Sequence, residues 1–306
     1  MTAAQTAALM MIASGATHAV VNAILKAGKD KMSSRALIDG FSALLVLPAA
    51  FIVPLPHGAW GWLAGSWATH LVYLVCLIKA FERADMSVAY PISRGVAPAL
   101  AAVVAVSLFA EPITVLVVCG IGLISCGVMA VGLGRQVDRR GLGWAAATGV
   151  SIALYTVIDA QGVRAAPSAF SYIVWVYLSL GGGIGLLFAL WRGPRFLLTA
   201  REEWKPGLIA GALSIVTYGL ALWAYRLGDT PRLAALRETS ILFGVAIAVF
   251  FLREKLTPGR IAGTLAIAGG AALLLLGQGT ARPVPDATAR LEGAHERDHD
   301  PSLHIR

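Results

Sequence analysis

The sequence predicts an all-α polytopic membrane protein: about ten transmembrane helices, arranged as two inverted five-helix repeats around a central cavity. Three observations carry this. The 306-residue chain is 57% hydrophobic and only 14% charged, with a mean hydropathy of +0.72. Apolar runs of about 20 residues, the length a helix needs to cross the hydrocarbon core, recur along it. The two halves of the chain also echo each other.

Taken in order, the runs are Thr6–Leu25, Ser34–Val53, Trp60–Ile78, Val88–Phe109, Ile113–Leu133, Gly143–Ala160, Phe170–Trp191, Pro206–Tyr225, Pro231–Phe251 and Ile261–Leu276. The first lacks a basic leader and carries His18 and Asn22, so it reads as a retained span, not a secretory signal. Trp60, Trp62, Trp204 and Trp223 fall near run ends, where indoles mark the membrane interface. Cys76, Cys119 and Cys126 lie inside apolar runs without zinc or disulfide spacing and read as packing residues. Residues 1–134 form the expected first repeat, 135–280 the second, and 281–306 a charged, aliphatic-poor tail expected to be disordered.

A soluble domain has about 25% charged residues, so this chain cannot coat itself for water. Its net charge of +8 is scattered over short loops, which argues against nucleic acid. Lys26, Lys29, Lys31, Arg35, Lys79, Arg83, Arg135, Arg139, Arg140, Arg192, Arg195, Arg201, Lys205, Arg253, Lys255 and Arg260 fall on the odd connections. The even ones hold little beyond Arg164, Arg226 and Arg232. The positive-inside rule then places the odd connections in the cytoplasm and both termini outside.

The repeat shows in the segments AFERADMSVAYPISRG and AYRLGDTPRLAALRET. Ala80 and Asp85 match Ala224 and Asp229. After a one-residue gap, Arg94 falls on Arg237, Glu111 on Glu254, Thr114 on Thr257, Gly120 on Gly263 and Gly127 on Gly270. Five spans per half would insert the second copy upside down, as in many secondary transporters. YPISRGVAPALAAVVAVSLFAEPIT and LAALRETSILFGVAIAVFFLREKLTPGRIAG together resemble the drug/metabolite transporter superfamily, in its ten-span EamA-type branch. The resemblance spans Thr6–Leu276 and implies inverted halves, a polar cavity and alternating access. It leaves the substrate open. The second segment lacks the Tyr90–Pro91 pair and adds Glu238.

A charge at bilayer depth costs about 2.5 kcal/mol or more, so it must face a cavity or a partner. Arg94, between Pro91 and Pro98, and Arg237 both lie several residues inside their runs. Each offers a fork of donors suited to carboxylate or phosphate. The competing reading is an internal ion pair with Glu238 or Asp159. Ser14, His18, Asn22 and Lys26 share one face of the first run, and Thr148, Ser151, Tyr155 and Asp159 one face of the sixth. Ser66, His70 and Tyr73 line a face of the third run, and Ser214, Tyr218 and Tyr225 one of the eighth. His18, Asn22, His70, Tyr73, Tyr90, Tyr155 and Tyr218 are therefore candidates beside the arginines, with the smaller hydroxyls serving helix contacts. His18, His70, Asp159 and Glu238 are candidate proton carriers. Glu111 and Glu254 precede helices and read as N-terminal charges.

No phosphate-binding GxxxxGK[ST] loop, HExxH or GxSxG motif is present, which excludes ATP hydrolysis by this chain and argues against an enzyme. No metal or cofactor is expected. The expected role is secondary transport of a small polar, anionic or zwitterionic metabolite across a cell inner membrane. A channel and a non-transporting scaffold are the alternatives. The expected partners are the substrate and the lipid bilayer; the glycine-bearing fifth and tenth runs also permit a homodimer.

Overall fold

The structure, a computed structural model, describes residues 1–83, 86–132, 139–250, 253 and 257–277. The helices are α1 (Ala3–Ala27), α2 (Lys31–Val46), α3 (Trp60–Arg83), α4 (Met86–Phe109), α5 (Val115–Gly132), α6 (Arg139–Ala165), α7 (Ala169–Tyr177), α8 (Gly183–Arg192), α9 (Pro194–Leu227), α10 (Thr230–Leu236), α11 (Ser240–Phe250) and α12 (Pro258–Leu276). A single π-turn, Leu178–Gly182, joins α7 to α8 at a glycine run, and a 3₁₀ turn, Arg237–Thr239, joins α10 to α11. Each pair thus crosses as one stretch. Among the described residues nine stretches are long and apolar enough to span a bilayer, and Val115–Val131 is a shorter apolar helix. The chain is an all-helical polytopic membrane protein. Glu254, Asp85, the boundary between the repeats and the charged tail all lie outside the described residues.

Local chemistry sets the helix ends. Thr2 caps α1 in a capping box with Gln5, Asp30 caps α2, Ser168 caps α7 and Thr257 caps α12. Side chains facing lipid stay apolar and exposed: Leu108, Val115, Leu190, Phe250 and Leu276 are examples. Cys119 and Cys126 belong to this lipid face of α5; of the three cysteines only Cys76 is a buried packing residue, which corrects the expectation.

Helices pair closely where side chains are small. α5 and α12 make the most extensive contact, and its seam is backbone on backbone. A Cβ on Gly127 would stand 2.8 Å from the Gly263 carbonyl, and one on Gly270 2.7 Å from that of Gly120. The glycines that permit a dimer thus pack against each other within one chain. α1 lies along α9, and α6 along both α3 and α4. Gly15 of α1 admits the backbone of Ser240, and Gly149 of α6 admits that of Ser93.

α9 is much longer than the hydrocarbon core is thick. Its 34 residues span about 51 Å against a core of about 30 Å. Its N-terminal part and the end of α8 are fastened to the region where α1 turns into α2. Glu203 accepts from the Lys29 N–H at 2.9 Å and the Ser34 hydroxyl at 2.6 Å, and Asp30 takes Arg192 in a fork at 2.6 and 2.9 Å.

Two outcomes are expected. Gly127→Val and Gly270→Val overpack the seam and should lower stability by about 1–3 kcal/mol, whereas Gly122→Val, with nothing within 4 Å, should leave the melting temperature in detergent unchanged. The Arg192 guanidinium holds the Asp30 carboxyl below its usual range. Asp30 therefore stabilises the fold above the ordinary carboxylate pKa, and this contribution is lost as pH falls through its lowered value. Melting measured from pH 7 to pH 3 should fall less steeply for Asp30→Asn than for the native chain.

Candidate functional site

The middle of the bundle holds a charge cluster built from α4, α6, α9 and the α10–α11 turn. Arg94 and Glu238 are buried to 5% and 3% exposure, and Nε of the arginine stands 2.9 Å from Oε2 of the carboxylate. The N–H is not aimed at that oxygen, so both atoms lack an aligned hydrogen bond. Arg94 also donates from Nη2 to the Ser240 hydroxyl at 3.2 Å and lies 5.9 Å from the Tyr90 ring centre. Local sequence places it there. Pro98 has no N–H to give the Arg94 carbonyl, and Gly95 lets α4 approach Met129 and Ser125 of α5.

Arg237 differs. It is 8% exposed, begins the 3₁₀ turn, and its Nε has no hydrogen-bond partner among the described residues. No carboxylate there reaches it within ion-pair distance; its guanidinium stacks 5.0 Å from the Tyr218 ring centre. The phenol of Tyr218 donates to Asp159 Oδ2, and that of Tyr172 donates to Oδ1 at 2.7 Å. Asp159, fully buried, is thus held by two phenols. Gly162 permits this: a Cβ there would meet the Tyr172 hydroxyl at 2.4 Å. Of the two expected ion pairs, Arg94–Glu238 is present, and Asp159 is engaged by tyrosines.

The aromatic candidates gather beside this cluster. His70 stacks on Tyr155 at 4.1 Å with 25° between the rings, and Tyr73 meets Tyr155 edge-on at 5.7 Å. His70 Nδ1 sits 2.8 Å from the Ser66 carbonyl, and its ring lies 6.5 Å from that of Tyr218. His18 is half-buried on α1, within electrostatic reach of Arg94 and Arg237; Asn22 is half-buried one turn further along. The hydroxyls read as helix contacts behave so. Ser14 donates to the Thr217 carbonyl of α9 at 2.6 Å, while Thr148 and Ser151 donate within α6.

A small void adjoins the charge cluster. A void of about 10 Å³ lies among Arg94, Pro98, Thr156, Tyr225, Arg237 and Glu238, room for about one water. Exposure is also lopsided. Toward the Lys/Arg-rich side Asn22, Tyr73 and Tyr90 remain half-buried, and the Arg35 side chain is 45% exposed although electrostatically coupled to Tyr73 and Tyr177. Toward the other side Thr156, Asp159, Tyr172 and Tyr225 are buried.

Four groups beyond the expected set belong to the centre or its closed side: Tyr172, Thr156, Arg164 and Arg232. Arg164 stands in the sequence among the sparse cations of the even connections, yet it is drawn inward, its side chain 17% exposed against a 5% exposed Glu111. Glu111 does not cap α5. Thr114 does, through the Val117 N–H at 3.3 Å, and Glu111 takes Arg164 at 2.5 Å. The signal for this lay in Glu111 and Arg164 both ending long apolar runs on the same side.

An all-helical multi-pass bundle with ionisable side chains held at its centre defines a polytopic membrane protein with a charged core. Residues 139–276 match the model of the EamA-like transporter family. The second half of the chain is thus similar to the EamA-like transporter family. A solved structure described only as "Crystal structure of protein" matches with a TM-score of 0.65 at 18% identity, over 89% of this chain and 96% of that one. That likeness speaks for the fold. No curated protein matches the chain.

Removing one member of a buried ion pair strands the other. Glu238→Gln should therefore destabilise by about 3–5 kcal/mol. Arg94→Met with Glu238→Leu should recover most of that loss, as read by thermal unfolding in detergent.

Proposed function

We propose that this chain is a secondary transporter of the inner membrane that carries a small polar metabolite bearing a carboxylate or phosphate, by alternating access. One observation carries the reading: Arg237 is a guanidinium buried in the bilayer-spanning region with its Nε unpartnered and no carboxylate against it among the described residues. A buried cation without a counter-charge is costly, and a guest anion supplies one. Arg237 adjoins the same small void as Arg94, whose pairing with Glu238 leaves donors unaligned. An incoming anion would compete with Glu238 for Arg94 and meet Arg237 directly. Tyr90, Tyr155, Tyr218, His70 and Tyr73 would wall the guest, with His18 and Asn22 on the approach.

The lopsided exposure supports a conformation reachable from the Lys/Arg-rich side, cytoplasmic by the positive-inside rule, and sealed from the other. The burial of Thr156, Asp159, Tyr172 and Tyr225 argues against a continuously open channel. The paired contacts of α1 with α9 and of α3 with α6 support two related halves. Asp159, Glu238, His18 and His70 are the groups through which a proton gradient would couple; exchange of one anion for another needs none of them.

The test is counterflow in proteoliposomes, with a panel of monocarboxylates, amino acids and phosphate monoesters first ranked by thermal shift. At least one member should give saturable counterflow. Arg237→Ala should weaken its binding tenfold or more, about 1.4 kcal/mol, without preventing insertion. Full binding and flux after loss of both arginines would end the anion reading.

A further inference from the structure

We propose that Glu111, Arg164 and Thr230 form the gate that seals the site from the face opposite the Lys/Arg-rich loops; this rests on the alternating-access reading. Glu111 stands in the α4–α5 connection, Arg164 in the last turn of α6 and Thr230 at the start of α10. The Glu111 carboxylate takes four donors. Oε1 accepts from Arg164 Nη1 at 2.5 Å, Gln161 Nε2 at 3.1 Å and the Thr230 hydroxyl at 2.7 Å, and Oε2 accepts from the Thr230 N–H at 2.6 Å. Arg164 spends its remaining donors on the other wall of the closure: Nε on the Tyr225 carbonyl at 2.9 Å, Nη2 on the Gly228 carbonyl at 2.7 Å and the Thr230 hydroxyl at 3.0 Å.

Three segments distant in sequence, the α4–α5 connection, the end of α6 and the α9–α10 corner, therefore meet on one carboxylate and one guanidinium. The knot lies directly beyond the charged void, because Tyr225, whose carbonyl Arg164 takes, also lines that void. Carboxylate and guanidinium are well satisfied when closed and would each be solvated by water when open. A closure of this kind is bistable: water replaces the donors on opening, whereas an apolar plug would resist wetting. A merely structural pair would keep the same accessibility on both faces when weakened.

The test reads accessibility and needs no substrate. In a background with Cys76, Cys119 and Cys126 replaced by alanine, Thr156→Cys reports on the void. Sealed vesicles of known orientation receive a membrane-impermeant maleimide on one face or the other. With the gate intact, labelling from the gate face should be slow. Glu111→Gln should speed it at least tenfold and leave the rate from the Lys/Arg-rich face within twofold. If Glu111→Gln fails to insert, Thr230→Val, which keeps the ion pair and the backbone N–H contact while deleting the hydroxyl, should speed labelling two- to fivefold. An unchanged rate from the gate face overturns the proposal, as does an equal rise from both faces, which reports general loosening. Counterflow of an anion together with unchanged labelling would sink the gate alone; the expected labelling with no counterflow of any probe would sink the transport reading alone.

Discussion

Burying charge where water is scarce is the constraint from which the rest of this molecule follows. A guanidinium in hydrocarbon must find a carboxylate, an aromatic face or water, and the bundle is arranged so that each one does. Arg94 takes Glu238 and Ser240, Arg237 takes the face of Tyr218, and Arg164 takes Glu111. These contacts link α4 to the α10–α11 turn, that turn to α9, and α6 to the α4–α5 connection. Helix packing between the charged points is left to small residues and van der Waals contact, as expected when lipid is as apolar as the side chains.

The contacts are unequal in quality. The Glu111 carboxylate is fully satisfied by aligned donors, whereas the Arg94–Glu238 pair is close in distance but poor in angle. A satisfied pair holds a geometry; an unsatisfied one leaves capacity for a third party. The difference separates a contact that fixes the closed geometry from one with capacity left for a guest. Tyr218 joins two further charges, its ring under Arg237 and its hydroxyl on Asp159.

Much of this was legible in the sequence, and the reason is the period of a helix. Residues three and four apart share a face, so His70 with Tyr73, and Tyr155 with Asp159, were readable as neighbours before any coordinates existed. Arg94 and Arg237 stood out because charge inside an apolar run is rare. The partners were harder. Asp159 meets Tyr172, thirteen residues away in the next helix, and nothing in one chain's periodicity reports how two helices face each other. Arg164 and Glu111 were misplaced for a related reason. Both sit at run ends, where a charge ordinarily reaches water, and only the fold shows those ends converging. The size of the void was invisible as well, since it depends on how aromatic rings interleave.

The length of α9 has a mechanical result. Inside the bilayer it is bonded to α1 through Ser14 and Thr217, and outside it is stapled to the α1–α2 turn by Glu203. A stiff rod fixed at two heights to the same neighbours cannot pivot without them. α1, α2 and α9 are therefore tied into one block that carries Tyr218, while Arg94 stands on the wall made by α3, α4 and α6.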